Sequence, residues 1–124
     1  MLCSAQQGQT YLSVVAPAHN EAENVGKLID EVAAVASVLK GPWEVIIVDD
    51  GSTDETASVL RTRMKDCPQL RVLSMKQRSG QTAAVEAGLR VARGRFVAMM
   101  DADLQNDPAD LPAMLEKLVR NECD

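Results

Sequence analysis

Two aspartates separated by one small residue, Asp101 and Asp103, stand close to the C-terminal end of the chain, and Gln105 follows them. They come directly after an apolar run, Phe96 to Met100, that has the pattern of a buried strand. An ionised carboxylate is costly to bury without a partner, so acids at the end of such a strand need one. Carboxylate and amide oxygens are hard donors that suit Mg²⁺ or Mn²⁺. The segment therefore predicts a divalent cation with its anionic ligand at the end of a strand.

Two further polar segments follow apolar runs earlier in the chain. The first contains Pro17, His19 and Glu21, and the second contains Asp49, Asp50 and Gly51. Asp49 or Asp50 can accept hydrogen bonds from a base N–H or from ribose hydroxyls, although a tight turn and a helix cap are the simpler alternative. Glu21 could equally favour the positive end of its own helix, and His19 alone is weak evidence. Because ligands of open α/β sheets bind beyond the carboxyl ends of the strands, three such segments together indicate one ligand site.

Short apolar runs alternate with amphipathic segments along the whole chain. The predicted strands are Tyr11–Ala16, Trp43–Val48, Leu70–Met75 and Phe96–Met100. Helical spacing connects one apolar set, Val25, Leu28, Ile29, Val32, Ala36 and Leu39, and a second set, Leu111, Met114, Leu115, Leu118 and Val119. Strands that alternate with helices predict a three-layer α/β/α fold with a mainly parallel sheet.

Cap signals and small residues give more local expectations. A capping residue followed by an acid three positions later occurs at Asn20 and again at Ser52, which predicts two helix starts. Asp107 before a proline predicts a third helix start. The segment Gln81–Arg93 predicts a helix whose small face packs closely on the sheet. The loop of residues 78–82 before it could hold an anion or could simply be capped.

The composition fits one globular domain, taken here as residues 11–124 after a polar tail of residues 1–10. The chain has 124 residues, 46% of them hydrophobic, and a net charge of −5, which argues against nucleic-acid binding. Three dispersed cysteines indicate free thiols rather than a disulfide framework. No signal peptide and no apolar stretch of membrane-spanning length is present, so we expect a cytoplasmic protein or one peripheral to the cytoplasmic face of a membrane.

Several motifs, in the same order, resemble those of family 2 glycosyltransferases, which have the GT-A fold. The matching segments are VVAPAHNEAENV, VIIVDDGSTDET and SGQTAAVEAGLRVARGRFVAMMDADLQNDPADLP. The form DADLQ is most similar to the branch that contains dolichyl-phosphate mannosyltransferases and undecaprenyl-phosphate glycosyltransferases. The resemblance implies a truncated, Rossmann-like GT-A domain of an enzyme used in cell-envelope glycan biosynthesis.

The resemblance also implies roles for individual residues. The nucleotide-sugar-binding set would be Pro17, His19, Glu21, Asp49, Asp50, Gly80 and Asp101. The metal ligands would be Asp101, Asp103 and Gln105, with Mg²⁺ or Mn²⁺ on the donor diphosphate, and Asp101 and Asp103 would be the catalytic residues. A lipid phosphate acceptor is already ionised, so a separate general base is dispensable, and the sugar would transfer with inversion from a GDP- or UDP-sugar.

Three hypotheses follow. The first is the donor-binding part of such an enzyme; we expect the acceptor half to lie beyond Asp124, since family members continue further. The second is an inactive or binding-only fragment of it. The third is a phosphoacceptor domain like those of response-regulator receivers, which shares the length and the α/β pattern. The receiver hypothesis needs a fifth strand and an acid pair after the first strand, and the sequence has neither.

Overall fold

The computed structural model describes residues 10–38 and 41–100. The strands are β1 (Leu12–Ala18), β2 (Trp43–Asp50), β3 (Leu70–Met75) and β4 (Phe96–Met99). The helices are α1 (Val25–Ala36), α2 (Thr56–Asp66) and α3 (Gln81–Val91). Leu39, the second set of helical positions (residues 111–119), Asp107 and the site residues Asp101, Asp103 and Gln105 lie outside the described residues.

The four strands form one parallel sheet in the order β3-β2-β1-β4. This confirms the parallel α/β architecture. The chain builds outward from β1 to β3 and then returns to place β4 on the other side of β1, so the strand order reverses between β1 and β4. Receiver domains have the flavodoxin-like order 2-1-3-4-5. The receiver hypothesis is therefore wrong.

Two apolar clusters cover the two faces of the sheet. On one face, alternate residues of β1 and β2 pack with the apolar residues of α1 from Val25 to Ala36 and with Leu60 of α2. On the other face, Val15 and two β2 side chains pack against Ala84 of α3. The alternation of side chains along each strand produces this division, and the result is the expected α/β/α sandwich.

The close packing of α3 is confirmed at Gly88. A Cβ atom at this position would lie 2.5 Å from Cγ1 of Val15 and 3.0 Å from Cγ2 of Val48, closer than van der Waals contact allows. The helix ends at Val91 instead of the predicted Arg93. Ala92 turns to an extended conformation, which lets the Arg93 amide bond the buried carboxylate of Glu44.

Two strands are longer than the apolar runs predicted. β1 continues through Pro17 to Ala18. Val15 accepts a hydrogen bond from the Met100 amide, so the imide nitrogen of Pro17, two residues later, faces β4's side, where pairing has already ended. Proline is tolerated there because no ladder donor is required. None of the helices in the described ranges combines the length and the hydrophobicity needed to cross a membrane.

Candidate functional site

The acid pair of the second polar segment belongs to a strand and not to a loop. β2 runs to Asp50, so Asp49 and Asp50 are its last two residues and their side chains lie on opposite faces of the sheet. Asp49 accepts a hydrogen bond from the Ser52 amide at 3.2 Å, and only 5% of its surface is exposed. The two carboxylates therefore cannot act as a pair on one ligand group.

The carboxylate of Asp50 is bound to the loop that precedes α3. Its two oxygens accept hydrogen bonds from the Ser79 amide at 2.7 Å and the Gly80 amide at 2.9 Å. The sequence left open whether this loop holds an anion or is only capped. The structure shows that it holds an anion, the carboxylate of Asp50, at the positive end of α3. A carboxylate has about four lone-pair sites, so acceptor capacity remains for a ligand.

His19 connects the first polar loop to the end of β2. Its Nδ1 lies 2.7 Å from the backbone carbonyl oxygen of Asp50. A carbonyl oxygen only accepts, so the imidazole donates from Nδ1, and the neutral ring has the Nδ1–H tautomer. Nε2 then accepts a long contact of 3.4 Å from the Asn20 amide group. The half-buried ring thus has a defined orientation at this edge of the sheet.

Both predicted helix caps are wrong, because Asn20 and Ser52 serve a different purpose. Helix α1 begins after Asn24, and α2 begins after Glu55. Asn20 instead has φ 54° and uses its side-chain oxygen to accept hydrogen bonds from the second loop. The Ser52 hydroxyl accepts from the Asn20 amide at 2.9 Å. The sequence predicted that each residue would cap its own helix. In the structure, both residues instead connect the loop after β1 with the loop after β2.

A second set of contacts connects the same two loops next to the helix starts. The Thr56 hydroxyl accepts from the Glu21 amide at 3.0 Å, and Asp54 accepts from Thr56 through both its amide and its hydroxyl. The hydroxyl of Thr56, helped by its amide, holds the pKa of Asp54 below its ordinary value. A carboxylate oxygen of Glu21 accepts from the Asn24 side chain at 3.1 Å. This contact favours the structural alternative for Glu21, at the positive end of its own helix.

Gly51 brings the second loop against the loop after β3. Its φ is +65°, and a Cβ atom there would lie 2.7 Å from the Gln77 carbonyl carbon and 2.9 Å from the Arg78 Cα. Backbone atoms cannot move aside easily, so this approach requires glycine. The loops after β1, β2 and β3 are thus in direct contact at one edge of the sheet.

Of the remaining predicted site residues, Pro17 lies within the described ranges, while Asp101, Asp103 and Gln105 lie outside them. Pro17 is half-buried in β1, next to the point where strand order reverses. Met100, the last described residue, donates its amide to the Val15 carbonyl at 2.9 Å, and Asp101 follows it in the chain. Among residues 10–38 and 41–100, no group of three or more His, Cys, Asp or Glu side chains could hold a metal ion.

Sequence reasoning missed Glu44, which is 5% exposed within β2. Its carboxylate accepts from Ser13 Oγ at 2.5 Å, Arg71 at 2.8 Å and the Arg93 amide at 2.7 Å. Burial raises the pKa of Glu44, but these hydrogen bonds outweigh burial and leave the pKa below its ordinary value. The sequence signal that could have found Glu44 is a single acid inside an apolar run, because a buried carboxylate requires hydrogen-bond partners. This network lies at the end of the sheet opposite the polar loops.

The chain matches the family model described as Glycosyl transferase family 2 over residues 13–124. It is 46% identical over 114 residues to the dodecaprenyl-phosphate galacturonate synthase of Rhizobium johnstonii, covering 91% of this chain and 34% of that protein. It is 38% identical over 107 residues to the undecaprenyl-phosphate 4-deoxy-4-formamido-L-arabinose transferase of Pectobacterium carotovorum, covering 85% and 32%. The chain thus spans about a third of the length of these curated relatives.

Solved structures agree with this match. Glucosyl-3-phosphoglycerate synthase from Mycobacterium tuberculosis, solved with Mn²⁺, UDP and glucosyl-3-phosphoglycerate, superposes with a TM-score of 0.70 at 29% identity, over 93% of this chain and 41% of that one. A mannosyltransferase from Pyrobaculum calidifontis, solved with GDP-Man and Mn²⁺, gives 0.66 at 29% identity, over 79% and 29%. The fold, the family model and the relatives coincide, and the chain belongs to glycosyl transferase family 2, with a GT-A fold.

Proposed function

We propose that this chain is the donor-binding part of a glycosyltransferase that moves a sugar from a nucleoside-diphosphate sugar to a polyprenyl phosphate, with inversion and with a divalent metal. The observation that carries the proposal is the reversal of strand order between β1 and β4. A ligand of such a sheet binds in the crevice at that point. One side of the crevice carries His19, and the other side leads from Met100 directly into the Asp101–Gln105 segment.

The described residues would form the nucleoside side of the donor site. Asp50 has lone pairs left for a base or ribose hydrogen, and Gly80, whose amide it binds, permits close approach of a ligand to the backbone. His19 presents an oriented ring edge. Pro17 gives the floor of the crevice a rigid backbone. Asp49 and Glu21 each accept a hydrogen bond within the protein, and the lone pairs that remain on their carboxylates would be available to the ligand.

A metal would be held by the oxygens of Asp101, Asp103 and Gln105. Two carboxylates and an amide are a donor set that suits Mg²⁺ or Mn²⁺, and two neighbouring structures were solved with Mn²⁺. Such a cation would neutralise the charge that develops on the departing nucleoside diphosphate. Asp101 and Asp103 would be the catalytic residues through this contact.

The acceptor class comes from the curated relatives, whose names specify dodecaprenyl and undecaprenyl phosphate. A phosphate monoester is ionised at neutral pH and can attack the anomeric carbon without a general base. One in-line displacement then inverts that carbon and releases the nucleoside diphosphate. A polyprenyl acceptor would bring the reaction to a membrane surface, and we propose its cytoplasmic face.

A thermal-shift screen of the chain tests donor binding. UDP or GDP at concentrations well above its Kd should raise the Tm in the presence of Mn²⁺ or Mg²⁺, because a ligand that binds only the folded state stabilises it. The same nucleotide with a chelator should give a much smaller shift. The absence of any nucleotide-dependent shift, with either metal, would contradict the proposal.

A second candidate is donor binding without transfer by this chain alone. The observation that favours it is the coverage of about a third of each curated relative. Transfer of radiolabelled sugar to a polyprenyl phosphate should be compared between this chain and a longer chain that supplies the downstream region of a relative. Binding by both and transfer by the longer one alone would establish this candidate.

A further inference from the structure

Asn20 has an unusual backbone conformation in the middle of the first polar loop. Its φ of 54° is the one positive value at a non-glycine position among the described residues. The left-handed region is unfavourable for an ordinary residue, and asparagine is one of the few residues besides glycine that tolerate it. Such a conformation persists only where the surroundings hold it in place. The contacts of Asn20 show what holds it.

The side chain and amide of Asn20 bind a loop more than thirty residues further along the chain. Its Oδ1 accepts from the Thr53 amide at 2.8 Å and from the Asp54 amide at 3.2 Å. Its own amide donates to the Ser52 hydroxyl at 2.9 Å. None of these partners belongs to the helix that follows Asn20. The residue therefore acts between two loops.

The two neighbours of Asn20 also bind the stretch of chain that runs from the end of β2 to the start of α2. His19 donates from Nδ1 to the Asp50 carbonyl, and the Glu21 amide donates to the Thr56 hydroxyl. Three consecutive residues are thus bound to the β2–α2 connection, and Asn20 provides the central contacts. Asn20 thus fixes the chain directly after His19, and its side-chain amide group also contacts Nε2 of the imidazole.

We infer that Asn20 is a positioning residue of the donor site: it joins the loops after β1 and β2 into one unit and so orients His19 at the crevice. The expected effect of Asn20 on nucleotide binding rests on the proposed function, whereas its role in joining the two loops does not. It predicts a role for Asn20 that does not require contact with the nucleotide, and it replaces the helix cap expected from sequence.

Two variants separate the side chain from the backbone. Asn20→Gly accepts the positive φ and removes the Oδ1 acceptor, whereas Asn20→Asp keeps an acceptor oxygen on a residue that tolerates the same φ. Ile29→Val is the control for stability, because Ile29 is buried in α1 and makes none of these polar contacts. If Asn20→Gly acted only by lowering the stability of the whole fold, it would give the same results as Ile29→Val in the measurements that follow.

Amide hydrogen exchange tests the connection without any ligand. In Asn20→Gly, the Thr53 and Asp54 amides should exchange roughly tenfold faster than in the wild type, since each loses its acceptor. Asn20→Asp should retain most of the protection, and Ile29→Val should show no selective change at these two amides. Unchanged protection in Asn20→Gly would overturn the inference.

His19 reports on the same contact by NMR, because it is the only histidine in the chain. The wild-type imidazole should show the ¹⁵N pattern of the Nδ1–H tautomer at a pH where the ring is neutral. Asn20→Gly should move the signals toward a mixture of tautomers, while Ile29→Val, which leaves the contacts of both loops in place, should not. An identical imidazole spectrum in Asn20→Gly would contradict the proposed orienting effect.

Calorimetric titration with UDP and with GDP, each with Mn²⁺, measures the consequence for the site. Asn20→Gly should weaken the Kd roughly tenfold, Asn20→Asp should recover most of the affinity, and Ile29→Val should bind like the wild type. Equal weakening in Asn20→Gly and Ile29→Val would reduce Asn20 to a structural residue. If the wild type binds neither nucleotide, the proposed function fails, while the exchange and imidazole measurements still decide the role of Asn20.

Discussion

Glu44 and Asp50 lie on the same face of β2, six residues apart, and their carboxylates hold opposite ends of α3. Asp50 binds the amides just before the helix, and Glu44 binds the amide just after it. Six strand residues span about 20 Å, close to the roughly 16 Å of an 11-residue helix plus the short segments at its ends. The loop before α3 contains Gly80, a residue of the proposed donor site, so this arrangement would fix one wall of that site.

Replacing Glu44 should destabilise the chain although it lies far from the crevice. Glu44→Gln removes a charge-assisted acceptor and leaves Arg71 half-buried beside it, so we expect a loss of about 2–4 kcal/mol in the free energy of unfolding. Urea denaturation measures this loss. Glu86→Gln is the matched control, because the exposed pair of Glu86 with Arg90 should contribute less than about 0.5 kcal/mol. Equal losses in the two variants would show that the network around Glu44 is not a stabilising one.

Acid should weaken the fold through the same carboxylate. The pKa of Glu44 is below its ordinary value of 4.5, so below that pH the unfolded chain binds a proton that the folded chain does not. The stabilisation is complete above pH 4.5 and is lost as the pH falls through the lower, folded-state pKa. Urea denaturation at a series of pH values should show this loss, and Glu44→Gln should show a shallower one. The stability of Glu44→Gln should still fall with pH to a smaller extent, because the pKa of Asp54 is also lowered. Parallel pH profiles for the wild type and Glu44→Gln would count against this assignment.

Gly51 should resist replacement even by a residue that tolerates its backbone angles. Asparagine adopts positive φ readily, so a purely conformational requirement would allow Gly51→Asn at little cost. The structure instead places backbone atoms of Gln77 and Arg78 where the new Cβ would go. Both Gly51→Asn and Gly51→Ala should therefore lower the free energy of unfolding by about 1–3 kcal/mol. If Gly51→Asn denatured like the wild type, the loops after β2 and β3 would have to lie farther apart than the structure places them.

Gly88→Ala should destabilise despite the better helix propensity of alanine, which favours the variant by about 1 kcal/mol. The added methyl group overlaps Val15 and Val48. Val15→Ala provides space for it, so the double variant should lose less stability than the sum of the two single losses, by about 1 kcal/mol or more. Urea denaturation of the four proteins measures this coupling. Additive losses would mean that α3 does not contact Val15 as the structure shows.

The sequence was sufficient to predict the fold because its signals were periodic. The members of the first helical set that the structure describes, from Val25 to Ala36, are buried as expected, and β3 begins and ends at the predicted residues. Strand ends were predicted less well, because the apolar run of β2 stops at Val48 while the ladder continues through Asp49 and Asp50. Carboxylates can occupy a strand end when backbone amides from other loops bind them, and that partner is not visible in local sequence.

In the polar loops, local sequence was an even poorer guide to the partners of individual side chains. Asn20 and Ser52 are typical capping residues, and their local sequence predicts caps. Their actual partners lie 32 to 34 positions away, so only the tertiary structure identifies them. The resemblance implied a set of nucleotide-binding residues, which stays a prediction, but it gave no indication that Asp50 and Gly80 bind each other.

Calorimetric titration of UDP and GDP with Mn²⁺ measures whether the proposed donor site depends on a metal held by the Asp101–Gln105 segment. Asp103→Asn removes a proposed metal ligand, and Asp107→Asn is the matched control at a nearby acid that is not a proposed ligand. We expect Asp103→Asn to weaken nucleotide binding by more than about tenfold and to abolish its dependence on Mn²⁺, while Asp107→Asn binds like the wild type. Equal, metal-dependent affinity in the wild type and Asp103→Asn would contradict the proposed metal site.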